Sequence, residues 1–457
     1  MLRQRLYSSR SLLRSSAAGF CSRSKSDVAI VGGGHNGLIA ACLLARQGLE
    51  VDVYEEKDVV GGACRTETPF PKAPTLGQST GAYLLGVMPP ELIKLLGIRL
   101  PLLRRDPHYF LPTIGARSGR GGTCRQAELE QLREDLAPSW FSEPLSAEGT
   151  AERYIRPALR SVFLDLVREP VGRYLDRHAF QSDLLKAMYA TTDAFSGLTA
   201  GLETAGAGAN FLLHNMCRLP GSSGSWMVVA GGMGTVTREL LRAAEAAGAR
   251  MGGAGVTGVL LADGEFRPAR AVVCNADPFR MQTLVNLALR GLPRFKCLPD
   301  EIGQHRTTTH ILPPGDSVLQ DTQRAFEEAQ AGKLPAFPTI EMYFHTTVDP
   351  SIAADSGLHS AALFVQWVPH TLAESSWEDQ EAAYVDHLIG LVERFAPGFS
   401  ELVVDTFTLT PPKIESYFGI TQGHIHHVDN TFAFDQRVPH RLPIESWLVT
   451  DTDPPTD

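Results

Sequence analysis

A glycine-rich turn between a short apolar strand and a helix constrains this chain more than any other feature. The sequence DVAIVGGGHNGLIAACLLARQGLEVDVYEEK begins with a β-branched run, Val28 to Val31, that is typical of a buried parallel strand. Gly32, Gly34 and Gly37 follow as G-x-G-x-x-G, which permits a tight turn, a close approach by pyrophosphate and close packing of helix on strand. This order predicts a dinucleotide-binding fold.

A carboxylate stands at the end of the next predicted strand, Val51 to Tyr54. Glu55 follows Gly32 at close to the spacing of about 20 residues at which a carboxylate binds ribose hydroxyls in such folds. Its negative charge disfavours a 2′-phosphate, so NADP is a poor candidate for this site. Strand, glycines, helix, strand and acid occur in the expected order, which an incidental glycine-rich turn would rarely produce.

The stretch after Glu55 favours FAD over NAD. Gly61 and Gly62 let the backbone pass the pyrophosphate a second time, and Arg65 and Thr66 offer a positive charge and a hydroxyl to the phosphates. Taken alone, the glycine pair would be an ordinary loop and Arg65 a surface charge. The predicted cofactor-binding residues are Gly32, Gly34, Gly37, Glu55, Gly61, Gly62 and Arg65.

The order VGGGHNG and then VYEEKDVVGGACRT resembles the carotenoid/retinoid oxidoreductase family, the phytoene-desaturase-like branch of FAD flavoproteins. The segments GSWMVVAGGMGTVTRELLRAAEAAGA (224 to 249) and LTPPKIESYFGITQGHIHHVDNTF (409 to 432) are similar to further stretches of that family. The resemblance spans roughly residues 27 to 440. It implies FAD, an oxidoreductase role and a Rossmann-like domain interrupted by a substrate domain.

The expected fold class is therefore α/β, with a discontinuous Rossmann-like FAD-binding domain and an inserted α+β substrate domain. The predicted divisions are a transit peptide at 1–26, the FAD-binding domain at 27–80 and 225–280, the substrate domain at 81–224 and 281–440, and a divergent tail at 441–457.

The resemblance also shows two departures. The chain is shorter than the family pattern between 249 and 258, where a strand beside the adenosine half of FAD is expected. It ends in RLPIESWLVTDTDPPTD, where the family has a glycine-rich segment that completes the flavin site. From these departures we expect this chain to bind FAD less tightly than members of the family do. Its activity depends on whether it retains FAD.

The first 26 residues are rich in arginine and serine and contain no acidic residue. This composition is typical of an organelle transit peptide, and the mitochondrial matrix is the preferred location, although a disordered basic tail would have a similar composition. The net charge of −9 argues against general nucleic-acid binding. No apolar run approaches the roughly 20 residues of a membrane span, which leaves peripheral membrane contact open.

The cysteine and histidine patterns predict neither a dithiol site nor a metal site. The seven cysteines include no C-x-x-C pair, so dithiol chemistry is not expected. His424, His426 and His427 form H-x-H-H with only Asp429 nearby, so no metal site is predicted. Gly231 to Gly234 open a predicted helix and suit either a ligand or tight packing of the helix on the sheet.

The function predicted from these observations is hydride transfer from a small-molecule substrate to FAD. The substrate is not identified, a lipophilic compound being one candidate, and neither a catalytic side chain nor a protein partner is assigned. Two alternatives stay open. One is an NAD-dependent dehydrogenase, and the other is a non-catalytic mitochondrial binding or regulatory protein that retains the fold.

Overall fold

A computed structural model describes residues 26–105, 108–114, 126–178, 180, 182–195, 200–222, 224–251, 269–274, 283–300 and 303–420, with backbone alone at 126–127 and 269–274. The predicted transit peptide up to residue 25, the H-x-H-H motif and the divergent tail lie outside the described residues. Ser26, which was assigned to the transit peptide, is instead the first residue of a strand.

The strands are β1 (Ser26–Val31), β2 (Val51–Tyr54), β3 (Thr66–Glu67), β4 (Gln78–Ser79), β5 (Leu102–Leu103), β6 (Tyr109–Phe110), β7 (Val228–Val229), β8 (Arg250–Met251), β9 (Ala269–Cys274), β10 (Thr283–Leu289), β11 (Thr308–Ile311), β12 (Ile340–Phe344), β13 (His359–Val365) and β14 (Val403–Leu409). The α-helices are α1 (His35–Ala45), α2 (Pro90–Leu96), α3 (Gln126–Leu136), α4 (Ala147–Tyr154), α5 (Arg160–Arg168), α6 (Val171–Asp176), α7 (Asp183–Tyr189), α8 (Ala207–His214), α9 (Gly234–Ala246), α10 (Val318–Gln330), α11 (His345–Val348), α12 (Trp377–Phe395), α13 (Phe399–Leu402) and α14 (Pro411–Phe418).

The first sheet has the order β8-β2-β1-β9, and all its neighbouring strands are parallel. Helices α1 and α9 pack against it through a shared core that includes Ile30, Leu38, Val53 and Leu240. Parallel neighbours need crossover connections, and α1 supplies the one between β1 and β2. The strands come from residues 26–54 and 250–274, two segments far apart in the chain.

The second sheet has the order β14-β10-β13-β12-β11-β6 and is antiparallel except for the pair β6 and β11. Side chains alternate between its faces, as in any strand. One face is apolar and packs against α12, with Val285, Met342 and Leu363 meeting Leu388 and Phe395. The opposite face carries polar side chains and is covered by other parts of the molecule.

Helices α3 to α8 form a third, helical layer. In the sequence they lie between strands β6 and β7. Their buried side chains, among them Phe163, Leu175 and Phe211, make a separate core. Residues Ala190–Ala194 form a single π-helical turn that follows α7, and its side chains are buried. Such turns often occur at functional sites in other proteins. Within the described residues, no helix has both the length and the apolar character that crossing a membrane requires.

Candidate functional site

The predicted glycine turn joins β1 to α1. Gly32 adopts φ of +95°, which lies in the region that side chains disfavour. Gly34 is the N-cap of α1, receives no side-chain cap, and is followed by a first turn without acidic residues. Gly37 is buried inside that turn. The N-terminus of α1 therefore offers the positive end of the helix dipole, and its glycines leave the backbone accessible to a phosphate group.

Glu55 lies directly against this glycine turn. Its Oε2 accepts a hydrogen bond from the backbone N–H of Gly33 at 2.7 Å, and its Oε1 accepts one from Lys57 at 3.0 Å. These two bonds fix the carboxylate while leaving lone pairs for ribose hydroxyls. A Cβ at Gly33 would lie 3.0 Å from Glu55 Oε2, so this glycine also matters. Gly33 is not among the predicted cofactor-binding residues, although it belongs to the same run of three glycines.

Gly61 and Gly62 bring a second loop onto the first. The N–H of Gly61 donates to the carbonyl oxygen of Gly33 at 2.9 Å, and Gly61 forms a parallel bridge with Gly34. Both residues have positive φ, +132° at Gly61 and +56° at Gly62. The two predicted glycine loops are therefore one backbone surface, in which bulkier residues would be strained.

Arg65 lies beside this surface and is largely enclosed, with 12% of its side chain exposed. Its guanidinium stacks over the rings of Tyr417 and Phe418, with centroid distances of 5.3 and 5.6 Å. Its Nη1 lies 3.8 Å from Oε1 of Glu67, which is its ionic partner. Its buried Nε has no hydrogen-bond partner among the described residues. A positive group with an unsatisfied N–H next to a glycine loop has the chemistry of a phosphate ligand.

Thr66 connects the second glycine loop to the start of α9. Its Oγ1 accepts a hydrogen bond from Gly234 N at 2.9 Å, and it donates to the carbonyl oxygen of Gly231 at 3.3 Å. Ser79 Oγ accepts in turn from Met233 N at 3.0 Å. These side chains satisfy N–H groups at the glycine-rich start of α9 and hold that helix against the loop. A phosphate contact from Thr66 stays a prediction.

The shortened segment after α9 still supplies an edge to the first sheet. Strand β8 pairs in parallel with β2, joining Asp52 to Arg250 and Val53 to Met251. Arg250 also holds Asp52 through its side chain, with Nε 2.6 Å from Oδ1. A strand is therefore present beside β2, but in the described residues it is only two residues long.

The polar face of the second sheet contains a feature that the sequence analysis missed. It consists of titratable side chains that converge on a buried region between the sheet and the helical layer. We call it the buried polar cluster, and its members are Arg105, Tyr109, Asp193, His310, Glu341, Tyr343 and His345. Alternation in the segment IEMYFH, where polar side chains occupy every second position, is the only local signal of it.

Aromatic contacts connect the cluster to the predicted cofactor loop. Tyr417 and Phe418, which hold Arg65, pack in one apolar group with Tyr83 and Tyr343. The ring of Tyr83 lies 5.4 Å from that of Tyr343 and 5.1 Å from that of His345. The fold therefore brings the glycine loops and the buried polar cluster into one continuous region.

Burial shifts the titration of this cluster strongly. It raises the pKa of Asp193 to about 7, against smaller opposing effects of hydrogen bonds from Asn215 and Tyr109. Burial likewise raises the pKa of Glu341 to about 8. It lowers the pKa of His345 to about 4, and nearby Arg105 adds to this shift. Near pH 7 both histidine side chains are neutral, since His310 is affected in the same way.

The residues fit FAD at its adenosine and pyrophosphate end. Bare backbone at Gly34 and Gly61, the fixed carboxylate of Glu55 and the unsatisfied Arg65 Nε each match a group of that half of the cofactor. By contrast, no group of three or more metal-ligating side chains occurs in the described ranges. The described cysteines are free, and burial raises the pKa of the Cys64 thiol beside the loop to about 11.

The fold and the glycine loops together define an α/β protein with a Rossmann-like domain, as predicted. The family described as "NAD(P)-binding Rossmann-like domain" matches residues 30–84. An oxidoreductase structure from Methanosarcina mazei has the same fold, with a TM-score of 0.52, 14% sequence identity and coverage of 84% of this chain and 87% of that one.

Curated relatives match nearly the whole chain. The mouse protein named "Pyridine nucleotide-disulfide oxidoreductase domain-containing protein 2" is 29% identical over 528 residues, covering 93% of this chain and 89% of its own length. The "zeta-carotene-forming phytoene desaturase" of Myxococcus xanthus is 25% identical, covering 87% of this chain and 83% of its own. The resemblance inferred from the glycine motifs is thus confirmed.

Proposed function

We propose that this protein is an FAD-dependent oxidoreductase that takes a hydride from a small-molecule substrate. The observation that carries the proposal is the joining of two glycine loops, through Gly61 N and Gly33 O, beside Glu55 and the partly unsatisfied Arg65. The relatives named as an oxidoreductase-domain protein and a desaturase support the same class of reaction. A mitochondrial matrix location, suggested by the basic N-terminal segment, is part of the proposal.

The chain's own residues would bind and orient the cofactor, which supplies the hydride-accepting chemistry when bound. Glu55 would hold the ribose, and the α1 N-terminus with Gly34 and Gly61 would face the pyrophosphate. Arg65, held by Glu67, Tyr417 and Phe418, would neutralise phosphate charge. The buried second sheet then provides a region from which bulk water is excluded.

An NAD-dependent dehydrogenase would use the same first glycine turn and the same carboxylate. The second loop with Gly61, Gly62 and Arg65 favours FAD, because it adds a second backbone contact and a cation next to the phosphates. A non-catalytic binding protein would retain these features without turnover. Flavin absorbance of the purified chain would exclude the NAD-dependent dehydrogenase. Reduction of the bound flavin by an electron donor would exclude the non-catalytic protein.

The first test is an absorbance spectrum of the full-length chain after FAD has been added and unbound FAD removed. We expect flavin bands to remain with the protein. Glu55→Ala should weaken FAD binding by about tenfold or more, because ribose hydroxyls lose a charged acceptor. Glu56→Ala is the matched control, since that neighbouring side chain is 62% exposed and pairs only weakly with Lys57 at 3.7 Å.

Two results would contradict the proposal. A folded chain that remains colourless at high FAD concentration would favour the non-catalytic alternative. Equal affinity in the Glu55→Ala and Glu56→Ala variants would mean that FAD, if bound, does not use the predicted ribose contact.

A further inference from the structure

The buried polar cluster contains a guanidinium that contacts no carboxylate of the described residues. Arg105 is only 5% exposed. Its Nε donates to the carbonyl oxygen of Trp226 at 3.3 Å and its Nη1 donates to the hydroxyl of Thr308. In the described part of the chain, no carboxylate oxygen lies within 4.0 Å of it. A buried charge without a counter-charge is costly, so this arrangement is better suited to a ligand than to stability.

The two carboxyl groups of the cluster do not supply that counter-charge efficiently. Burial raises the pKa of Asp193 to about 7 and that of Glu341 to about 8, so near pH 7 Glu341 is mostly protonated and Asp193 is about half protonated. Protonated carboxyls donate hydrogen bonds. An anion entering this region would therefore meet the positive charge of Arg105, several donors and less negative charge than two ionised carboxylates would carry.

His345 provides a second, independent indication that a ligand is needed. Its residue exposure is 6%, and its Nε2 has no hydrogen-bond partner among the residues that the structure describes. The ring lies between Tyr83 and Tyr343, with centroid distances of 5.1 and 6.1 Å. Unsatisfied buried polar atoms are rare and usually correspond to a ligand, a water molecule or a functional group.

We propose that the buried polar cluster binds a carboxylate group of the substrate, with Arg105 as its ionic partner and His345 as a further hydrogen-bonding group. The inference deepens the proposed oxidoreductase function, and it rests on that function in treating the ligand as a substrate. It narrows the substrate class to carboxylic acids. A plain hydrocarbon would offer Arg105 no counter-charge and His345 Nε2 no hydrogen bond.

The binding test uses octanoate and octan-1-ol, two probes that share a chain length and differ in charge. The thermal unfolding midpoint of the full-length, FAD-free chain is measured at pH 7 with each. We expect octanoate at saturating concentration to raise Tm by about 3 °C or more, because it binds the folded state alone. Octan-1-ol should raise it by less than about 1 °C.

Arg105→Met tests the residue that carries the inference. This change removes the buried charge at similar side-chain length, so we expect Tm without ligand to stay the same or rise, and the octanoate shift to disappear. Arg324→Met is the control, since this arginine is 64% exposed and pairs with Asp321. It should retain the full shift.

Three results would overturn the inference: no octanoate shift in the wild type, an equal shift with octan-1-ol, or an undiminished shift in Arg105→Met. If Arg105→Met does not fold, Arg105→Lys keeps the charge, and its octanoate shift should fall by at least half because a lysine cannot form the paired hydrogen bonds. A full shift there would also overturn it. FAD retention is measured separately by absorbance, so a failure of either proposal is recognised independently of the other.

Discussion

Gly61→Val is expected to lower FAD affinity by at least about 100-fold, equivalent to roughly 2.7 kcal/mol of binding free energy. Gly61 has φ of +132°, which a β-branched residue adopts only with strain. A Cβ there would lie 2.9 Å from Arg65 Cγ and 3.2 Å from the carbonyl oxygen of Cys64. Both the backbone facing the pyrophosphate and Arg65 would have to move. Titration of FAD against protein fluorescence measures the change.

Gly48→Val separates this local effect from general backbone strain. Gly48 also has positive φ, +80°, but a Cβ there meets no atom within 4 Å, and it lies in the turn after α1. We expect reduced stability in this control with FAD affinity within about twofold of the wild type. A folded Gly61→Val variant that binds FAD as tightly as Gly48→Val would show that the second glycine loop does not contact the cofactor.

Local sequence signals were sufficient for the elements around the glycine loops. The strand Val51–Tyr54 has the predicted bounds, and the helix Pro90–Leu96 is delimited by local signals of the same kind. The helix starts with a proline at its first position and ends at Gly97 with φ of +66°, both of which are local signals. Glu55 reaches the glycine turn because adjacent parallel strands end at the same sheet edge. Short-range chemistry and sheet geometry determine all these features.

The role of Thr66 could not be predicted in this way. A hydroxyl beside a glycine loop suits a phosphate, but the sequence does not show which backbone amide lies closest. The amide is that of Gly234, 168 positions away in the chain. Only the packing of α9 against the first sheet brings the two together.

The buried polar cluster was hidden for a related reason. Arg105, Asp193 and the pair Glu341 and His345 come from three separate segments of the chain. In a strand, a polar side chain at every second position normally faces water, so Glu341 and Tyr343 suggest an exposed face. In this fold the helical layer covers that face, and the resulting burial is what makes these residues candidates for function.

Glu341→Gln is expected to increase stability at alkaline pH, and this is the second large effect. Burial raises the pKa of Glu341 from 4.5 to about 8, so between these values the folded state holds a proton that the unfolded state releases. The free energy of unfolding therefore decreases as pH rises from about 4.5 to 8. Glutamine does not titrate and loses nothing over this range. We expect the variant to be more stable than the wild type by roughly 4 kcal/mol above pH 8, and of similar stability near pH 4.

Chemical denaturation at pH 4.5, 6.5 and 8.5 would measure this difference. The two histidines change in the opposite direction, because burial lowers the pKa of His345 to about 4 and that of His310 to about 3, and their contribution to stability increases up to pH 6.5. Both histidines are present in the variant and in the wild type, so comparing the two proteins at each pH cancels the histidine contribution. Glu56→Gln, at an exposed position, should follow the wild type. If Glu341→Gln and wild type change equally between pH 6.5 and 8.5, Glu341 is not a protonated, buried carboxyl, and the charge on Arg105 is already compensated within the protein.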